Sequence, residues 1–409
     1  MRLSRKDLIT NVFCLIPAID LSVGLIALQF NLYSGYNGIL KLTTLLPGIA
    51  IRLALIFLIF AALQSITRII YLCILMVLLL SDMINLANGT YSVAKFILSS
   101  SHSIKLSLLI ITYLLLLDPI SKVVNPEKIL VTTCIIYIFG ICAGTLFGNN
   151  YSTYGGFGST GWFIKGSANS ISTVLLLTLL PTWLYLKKTT STFFLILFVS
   201  ICFIASSLPL TKGATLAYIV SALLFIRHAI PKWKVRVPFI TAFSLTLAIS
   251  SSYIVANSSM IDRLQNVYHY YDENIFYVLL SGRHLHLLHG KEIYLSELNF
   301  LQFIFGAGSE NFRNLMSLYF NKPITVESDF FDILIINGLL SLTIILVILC
   351  HQYQIGVKGH YSYQFKVIFI CTIVLAIIAG HVLFSGLALH LIAISTLYYK
   401  RKYRENTHD

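Results

Sequence analysis

Charged residues are scarce in this chain. Only 11% of its 409 residues are Asp, Glu, Lys or Arg, whereas soluble domains carry about 25%. Hydrophobic residues make up 57%, and the mean hydropathy is +0.83. This composition excludes an ordinary soluble domain and indicates a polytopic membrane protein. Its expected surroundings are membrane lipid, and nucleic acid is not an expected partner.

Other features are absent from particular segments. Cysteine is missing from the long segment 257–330, and the seven cysteines all lie in apolar spans, so a disulfide framework is not expected. The Cys and His spacing of a structural zinc site is also missing. The glycines of GAGSENF (306–312) follow no βαβ strand, which excludes a dinucleotide fingerprint and predicts a tight turn. The sequence therefore predicts neither a metal nor a cofactor.

Long apolar runs recur along the chain. Each can cross a bilayer as a helix of roughly 20 residues, because a helix pairs its own backbone groups in hydrocarbon. The predicted fold class is therefore an all-α integral membrane protein. The predicted helices cover residues 11–31, 46–64, 69–87, 104–121, 129–147, 169–186, 192–209, 213–229, 237–256 and 331–351, and a final apolar stretch covers 366–399. The first run lacks a signal-peptide cleavage site and is interpreted as a retained helix.

Lys and Arg in the connecting segments set the predicted orientation, because these residues favour the cytoplasmic side. Both termini are predicted to be cytoplasmic and segment 257–330 to be external. The stretch 366–399 must then cross twice, with IIAGHVLFSGLA (377–388) as a tight turn or a shallow re-entrant pair, which gives about 12 helices. The alternative is one kinked helix with the tail outside.

The predicted organisation follows the sequence order. A first bundle of about nine helices covers residues 1–256, since nine apolar runs fall there. The external segment 257–330 contains an interfacial helix. The C-terminal helices cover 331–399, and residues 400–409 form a basic cytoplasmic tail.

Two predicted external connections have chemistry suited to a glycan or a phosphate. Residues 148–172 are rich in Gly, Ser, Asn and aromatics, which suits a flexible loop. There Trp162 offers a flat apolar face and Lys165 a cation, although a solvated connector is the alternative. Lys212 lies in a short turn before a predicted helix whose first N–H groups also favour anions. A lysine reaching to the interface is the alternative.

An apolar stripe at helical spacing in residues 284–298 predicts a helix lying flat on the bilayer. Arg283 stands at its start, and arginine presents a planar fork that pairs with phosphate oxygens. His284, His286 and His289 do not all share one helical face. They are therefore interpreted as surface residues of this helix rather than metal ligands.

Three acids, Glu327, Asp329 and Asp332, lie at the start of the predicted helix 331–351. Acids at this position stabilise a helix N-terminus, so capping is one interpretation of Glu327 and Asp329. Their mutual repulsion requires countercharges. Three basic residues are candidates for that role: Lys212, Arg283 and Arg313. A carboxylate held beside basic residues at a membrane boundary can instead act as a general base on a sugar hydroxyl.

The layout of a dozen or so helices with one large external loop late in the chain resembles bacterial O-antigen and capsule polymerases and the related O-antigen ligases. Four local stretches resemble places where those proteins agree. They are GWFIKGSANSIS (161–172), TKGATLAYIV (211–220), the GR…GAG span (282–308) and ESDFFDILIINGLLS (327–341). The layout covers nearly the whole chain, whereas the motifs are short and degenerate.

The resemblance implies a GT-C-like helical fold with its site at the outer face of the bacterial inner membrane. It implies glycans on undecaprenyl pyrophosphate as substrates, with no nucleotide sugar and no metal. Arg283 matches the Arg of the loop helix, and Lys212 stands where many relatives have Arg, which keeps the charge but loses the bidentate fork. The ligases tend to have a His-Asn pair where this chain has Glu327-Ser328. That departure favours a polymerase.

The expected function is therefore polymerisation of lipid-linked oligosaccharide repeat units for O-antigen or capsule. Under this hypothesis Arg283 and Lys212 hold the pyrophosphate and Glu327 or Asp329 acts as the base. The glycan path is lined by Lys165, Trp162, His289 and Arg313. A chain-length regulator protein is a further expected partner. The alternatives are a ligase that attaches the glycan to lipid A core and a non-enzymatic lipid-linked sugar transporter. Two similar halves, which a transporter would be expected to show, are not seen in the sequence.

Overall fold

The computed structural model describes residues 5–30, 38–154, 157–163, 168–229, 268, 283–321, 324–359 and 361–405. Helices dominate these residues. In chain order they are α1 (Arg5–Gln29), α2 (Gly38–Ala62), α3 (Ser65–Ala87), α4 (Val93–Leu117), α5 (Pro126–Leu146), α6 (Ala168–Thr189), α7 (Thr192–Ser207), α8 (Lys212–Ala229), α9 (Arg283–Ser296), α10 (Phe300–Phe305), α11 (Ser309–Phe320), α12 (Asp329–Val357), α13 (Ser362–Ile378) and α14 (Leu389–Glu405). The predicted helix 237–256 lies outside the described residues, as does Lys165.

Several of these helices have the length and composition of membrane spans. Within the described ranges, six qualify: Asp7–Gln29, Ser65–Ala87, Lys95–Leu117, Pro126–Leu146, Ala168–Thr189 and Asp329–Val357. Three apolar helices are shorter: Pro47–Ala62, Thr192–Ser207 and Ser362–Ile378. Because a helix of roughly 20 apolar residues matches the hydrocarbon thickness, the predicted class of all-α membrane protein is confirmed.

The described contacts divide the chain into two compact units. The first comprises residues 1–16, 48–129 and 283–409, and the second comprises 17–47 and 130–282. In the first unit α4 packs on α3 and α14, while α12 packs on α10, α13 and α14. In the second unit α6, α7 and α8 pack on one another, and the buried Trp183 meets Tyr218 edge-on with 5.6 Å between ring centroids. The units interleave along the chain and do not follow the sequence-order division at residues 256 and 330.

The glycine-rich stretch after α5 contains an antiparallel hairpin of β1 (Ser152–Tyr154) and β2 (Phe157–Ser159). Its register places Ser152 opposite Ser159 and Tyr154 opposite Phe157. Gly161 follows with φ +61, and a Cβ there would overlap the carbonyl oxygen of Gly140 in α5. The described part of this stretch thus differs from the predicted flexible loop, because strand pairing and close approach to α5 hold it.

Helix α4 begins at Val93, well before the predicted start at residue 104. The extra residues are rich in serine, and hydropathy alone assigns them to a loop. Their hydroxyls bond inside the first unit, where Ser103 Oγ donates to the carbonyl of Leu78 at 3.0 Å and Ser99 Oγ donates to Asp82 Oδ1 at 2.5 Å. Polar groups satisfied in this way are compatible with a helix at a membrane boundary.

Helix α12 is broken at Gly338, whose φ of +84 is not helical. The glycine turn before α11 packs against this break. There Ala307 N–H donates to the carbonyl of Ile335 at 2.8 Å, and a Cβ on Gly306 would overlap the carbonyl oxygen of Ile336. A helix break deprives nearby carbonyls of their intrahelical donors, and the turn supplies replacements. The predicted tight turn is confirmed.

The final apolar stretch forms two helices, α13 and α14, rather than one kinked helix. The segment between them, residues 379–388, contains only turns and bends and is called the 379–388 linker below. The predicted turn at 377–388 is therefore confirmed. The linker returns the chain to the start of α12, where its backbone contacts Asp329.

Candidate functional site

Arg283 and Glu327 form an ion pair in the first unit. Arg283 is the first residue of α9, Glu327 lies just before α12, and Arg283 Nε is 2.9 Å from Glu327 Oε2. The two side chains are 23% and 35% exposed, which places the pair in a partly solvated position. The contact is made through Nε, so it does not use the Nη1 and Nη2 edge of the guanidinium. The structure thus brings together two residues that the sequence predicted for one site.

Glu327 has a left-handed backbone conformation with φ +62. For a residue other than glycine this conformation costs about 1–3 kcal/mol, so the surrounding packing must impose it. Gly380 of the 379–388 linker supplies part of that packing, because a Cβ on Gly380 would overlap the Glu327 carbonyl oxygen. Strained charged residues fixed in this way are typical of functional sites.

Asp329 is fully buried and holds the 379–388 linker. Its Oδ1 accepts from the His381 N–H at 2.6 Å, and its Oδ2 accepts from the N–H groups of Val382 and Leu383, both at 2.7 Å. The capping interpretation needs correction, because these donors belong to the linker and not to α12. Three backbone N–H groups, rather than the predicted basic residue, stabilise the Asp329 carboxylate. Asp329 therefore positions the linker, and its carboxylate oxygens are engaged by these N–H groups.

Asp332 also binds a backbone N–H group, and the donor lies close to it in the sequence. It is 2% exposed, and its Oδ1 accepts from the N–H of Val326 at 2.9 Å. That bond fixes the backbone immediately before Glu327. Of the three acids, only Glu327 therefore has a carboxylate open to a ligand.

His381 stands beside the ion pair and also has a left-handed φ, +60. Burial lowers the pKa of His381; the Glu327 carboxylate acts in the opposite direction, and the positive charges of Arg283 and Lys105 add to the lowering. A neutral imidazole can donate through one ring nitrogen and accept through the other. The Glu327 carboxylate and the His381 ring therefore lie within electrostatic range of each other, and burial favours the neutral form of the ring.

Helix α4 adds further basic groups. His102 and Lys105 are three residues apart, so they share a helical face, and both are half-buried. Lys105, Arg313 and His381 all repel a positive charge on His102. Arg313 pairs with Glu310, with 3.1 Å between Nη1 and Oε1. The prediction that Arg313 could neutralise the acids before α12 is therefore corrected, although Arg313 lies within electrostatic range of the site.

Helix α9 turns its histidines inward and its leucines outward. The His289 ring stacks on Tyr319 of α11 at 4.7 Å, and its Nδ1 lies 3.0 Å from Glu292 Oε2. His286 meets Phe320 edge-on at 4.8 Å. The exposed side chains of α9 include Leu285, Leu287, Leu288 and Leu295. The interpretation of surface histidines needs correction for His286 and His289, because aromatic rings of α11 pack against them. The exposed leucines fit the predicted interfacial helix.

The remaining predicted residues belong to the second unit. Lys212 is the first residue of α8 and is exposed, in the short turn that the sequence predicted. Trp162 stacks parallel to Phe147, with 6.1 Å between ring centroids. Since Arg283 belongs to the first unit, the convergence of Lys212 and Trp162 with Arg283 stays a prediction.

The described site offers proton transfer and anion binding. Glu327 and His381 can move protons, while Arg283, Lys105 and His102 can bind negative charge. Among the residues that the structure describes, no group of three or more His, Cys, Asp or Glu side chains is arranged to hold a metal ion.

Three residues of this region were not singled out from the sequence: His102, Lys105 and His381. A signal for Lys105 exists, because an ionisable residue inside a membrane-spanning helix is costly and usually functional. His102 stands one turn away on the same face. For His381 no local signal exists, since the folding of the 379–388 linker brings it to Glu327.

No family model matches the chain, and no curated protein matches it. The functional interpretation therefore rests on the geometry around Arg283 and Glu327 together with the resemblance of the four motifs.

Proposed function

We propose that this protein is a polymerase of lipid-linked glycan repeat units. The observation that carries the proposal is the Arg283–Glu327 ion pair at the start of a membrane-spanning helix, within range of further basic groups. A polymerase of this kind needs a base for a sugar hydroxyl and cations for a pyrophosphate leaving group. The pair supplies one of each at a partly solvated position.

The proposed reaction moves the growing glycan from one lipid to another. A hydroxyl at the non-reducing end of a new repeat unit attacks the anomeric carbon of the growing chain. The bond between that carbon and the pyrophosphate oxygen breaks, and undecaprenyl pyrophosphate leaves with the bonding electrons. Glu327 takes the hydroxyl proton, which contributes roughly 100- to 10,000-fold to the rate.

Arg283 contributes both to the proton transfer and to the departure of the pyrophosphate. In the structure its Nε contacts Glu327, and its Nη1 and Nη2 edge is suited to phosphate oxygens. Asp329 fixes the backbone of His381 beside the pair. In this proposal Lys212 adds charge to the pyrophosphate site, and Lys165, Trp162, His289 and Arg313 contribute to the glycan path.

The membrane setting belongs to the same proposal. We place the protein in the bacterial inner membrane with about 12 helices in a GT-C-like arrangement, because the apolar runs and the distribution of Lys and Arg favour that number. Both termini are cytoplasmic and the site faces the periplasm. A chain-length regulator protein is a proposed partner.

A chain-length ladder tests the function. A strain that lacks the gene is complemented with the wild type, Arg283→Ala or Lys291→Ala, and its lipopolysaccharide or capsule is separated by size at matched protein level. Arg283→Ala is expected to abolish long chains. Lys291→Ala is the matched control, because Lys291 is an exposed base on the same helix, and it should leave the ladder intact. A normal ladder from Arg283→Ala would remove the assignment.

The deletion strain also separates the polymerase from the ligase. Without a polymerase, single repeat units still reach the lipid A core. Without a ligase, no repeat units reach the lipid A core. Single repeats on the core therefore support the polymerase, and a bare core would assign the ligase reaction instead.

A further inference from the structure

Helix α4 presents two basic groups, His102 and Lys105, on one face. In the described part of the chain, no acidic side chain forms an ion pair with Lys105. Its electrostatic interactions there are with three basic residues: Arg52, His102 and His381. His102 Nδ1 is buried and has no hydrogen-bond partner among the described residues. This part of the first unit therefore holds more basic groups than acidic partners for them.

The 379–388 linker covers the same face of α4 and is held at several points. Phe384 meets the His102 ring edge-on, with 5.5 Å between centroids. The Gly386 carbonyl accepts from Arg52 Nε at 2.9 Å, and Asp329 binds the linker's N–H groups. The surroundings of His102 and Lys105 are therefore fixed by the fold.

The acids of this region are already engaged. Glu327 pairs with Arg283, Glu310 pairs with Arg313, and Asp329 binds backbone N–H groups. A lysine inside a membrane-spanning helix is costly unless it loses its proton or gains an anion. Since neighbouring cations oppose its charge further, a bound anion would stabilise this arrangement more than it would an isolated lysine.

We propose that Lys105 and His102 bind the phosphate of a membrane lipid. The ligand class is a lipid phosphate because the two basic groups lie on a membrane-spanning helix, Lys105 has no acidic partner among the described residues, and His381 is within electrostatic range of both Lys105 and Glu327. Its assignment to the pyrophosphate of the glycan donor rests on the proposed function. In that assignment Lys105 adds a further cation to the pyrophosphate site from the same unit as Arg283.

Lipid binding to the purified full chain tests the site. The protein is placed in phosphatidylcholine nanodiscs, and native mass spectrometry measures its apparent affinity for undecaprenyl pyrophosphate and for phosphatidylglycerol. Lys105→Met is expected to weaken undecaprenyl pyrophosphate binding about 10- to 100-fold, the loss typical of a charge-assisted hydrogen bond. Lys105→Arg keeps the charge and should stay within about threefold of the wild type.

Lys95→Met is the matched control, since Lys95 is exposed on the same helix. It should bind both lipids as the wild type does. If Lys105→Met elutes as aggregated protein, His102→Gln tests the same site and should also weaken binding.

The two probes separate the possible sources of the phosphate. A loss confined to undecaprenyl pyrophosphate supports the donor assignment, whereas an equal loss for phosphatidylglycerol supports a phosphate site that serves bulk lipid. Wild-type affinity of Lys105→Met for both lipids overturns the proposal. Failure of the polymerase proposal is distinguishable, because it would appear as a normal glycan ladder from Arg283→Ala whatever the lipid binding of Lys105→Met.

Discussion

Asp329 at the start of α12 accepts a hydrogen bond of 2.6 Å from the backbone N–H of His381. The two residues are far apart in the sequence, and this bond joins the beginning of one membrane-spanning helix to the linker that precedes the last helix. Gly380, next to His381, in turn packs against the backbone of Glu327. Asp329 therefore helps to determine where Glu327 stands without having an open carboxylate itself.

The first prediction concerns Asp329→Asn. An amide has one acceptor oxygen, so at least one of the three linker N–H groups would face the amide nitrogen. A buried donor left without an acceptor costs about 1–3 kcal/mol. We expect a clear fall in the melting temperature of the protein in detergent, together with loss of long glycan chains.

Glu297→Gln is the control for Asp329→Asn. Glu297 is exposed, and the change from acid to amide is the same. Its melting temperature should match that of the wild type. Equal melting temperatures for the two variants would show that Asp329 does not hold the linker.

The second prediction separates stability from activity at Glu327. Partly exposed ion pairs contribute about 0–1 kcal/mol to folding, so Glu327→Gln should leave the melting temperature almost unchanged. Loss of a general base should nevertheless lower the polymerisation rate roughly 100-fold or more. The measurement is the rate of chain extension in membranes with a lipid-linked repeat unit, at matched protein level.

Glu327→Asp sharpens that test. It keeps a carboxylate but shortens the side chain, so partial activity is expected. Full activity of Glu327→Gln would assign the proton transfer to another group, and His381 would be the first residue to test.

Most of the helices could be predicted from the sequence, because helix formation in hydrocarbon depends on the local run of apolar residues. A run such as 192–209 must form a helix in hydrocarbon whatever surrounds it, and the structure gives Thr192–Ser207. The tight turn at 306–308 was also predictable, since glycines at that spacing suit positive φ. Arg283 and Glu327 could be predicted as site residues from their charge and their position next to apolar segments.

The rest depended on contacts between distant parts of the chain. The start of α4 was missed because its serines look like a loop until Ser99 and Ser103 find buried partners. Glu327 and Asp329 could not be distinguished by composition. Only the folded linker shows that one carboxylate is saturated by backbone N–H groups while the other faces an arginine.

The third prediction concerns the glycine turn that packs on the break in α12. Gly306 has φ +96, and a Cβ there would overlap the carbonyl oxygen of Ile336. Gly89 has φ +72, but no atom lies within 4 Å of a Cβ built on it. Gly89→Ala should therefore cost only the backbone strain of about 1–2 kcal/mol.

Gly306→Ala should cost about 1–3 kcal/mol beyond that control, because steric overlap with fixed backbone forces the turn away from α12. The difference in melting temperature between the two variants is the measurement. Both positions have positive φ, and the ψ of 161 at Gly306 adds backbone strain to the steric overlap, so the difference measures both. A Gly306→Ala variant as stable as Gly89→Ala would show that the turn does not pack tightly on the break.

The last prediction is a pH dependence that arises from His381. Burial lowers the pKa of His381 from its ordinary value of 6.5, so the folded protein favours the neutral ring. The resulting stabilisation is complete above about pH 6.5 and is lost as the pH falls, because the unfolded chain then gains a proton that the folded chain resists. His381→Gln should therefore show a smaller fall in melting temperature between about pH 7.5 and about pH 5.5, a range that spans the ordinary histidine pKa.

The Glu327 carboxylate opposes the lowering of the His381 pKa. In Glu327→Gln, which keeps His381, the melting temperature should therefore fall more steeply at acid pH. Identical pH profiles for the wild type and His381→Gln would contradict a lowered pKa of His381 in the folded protein.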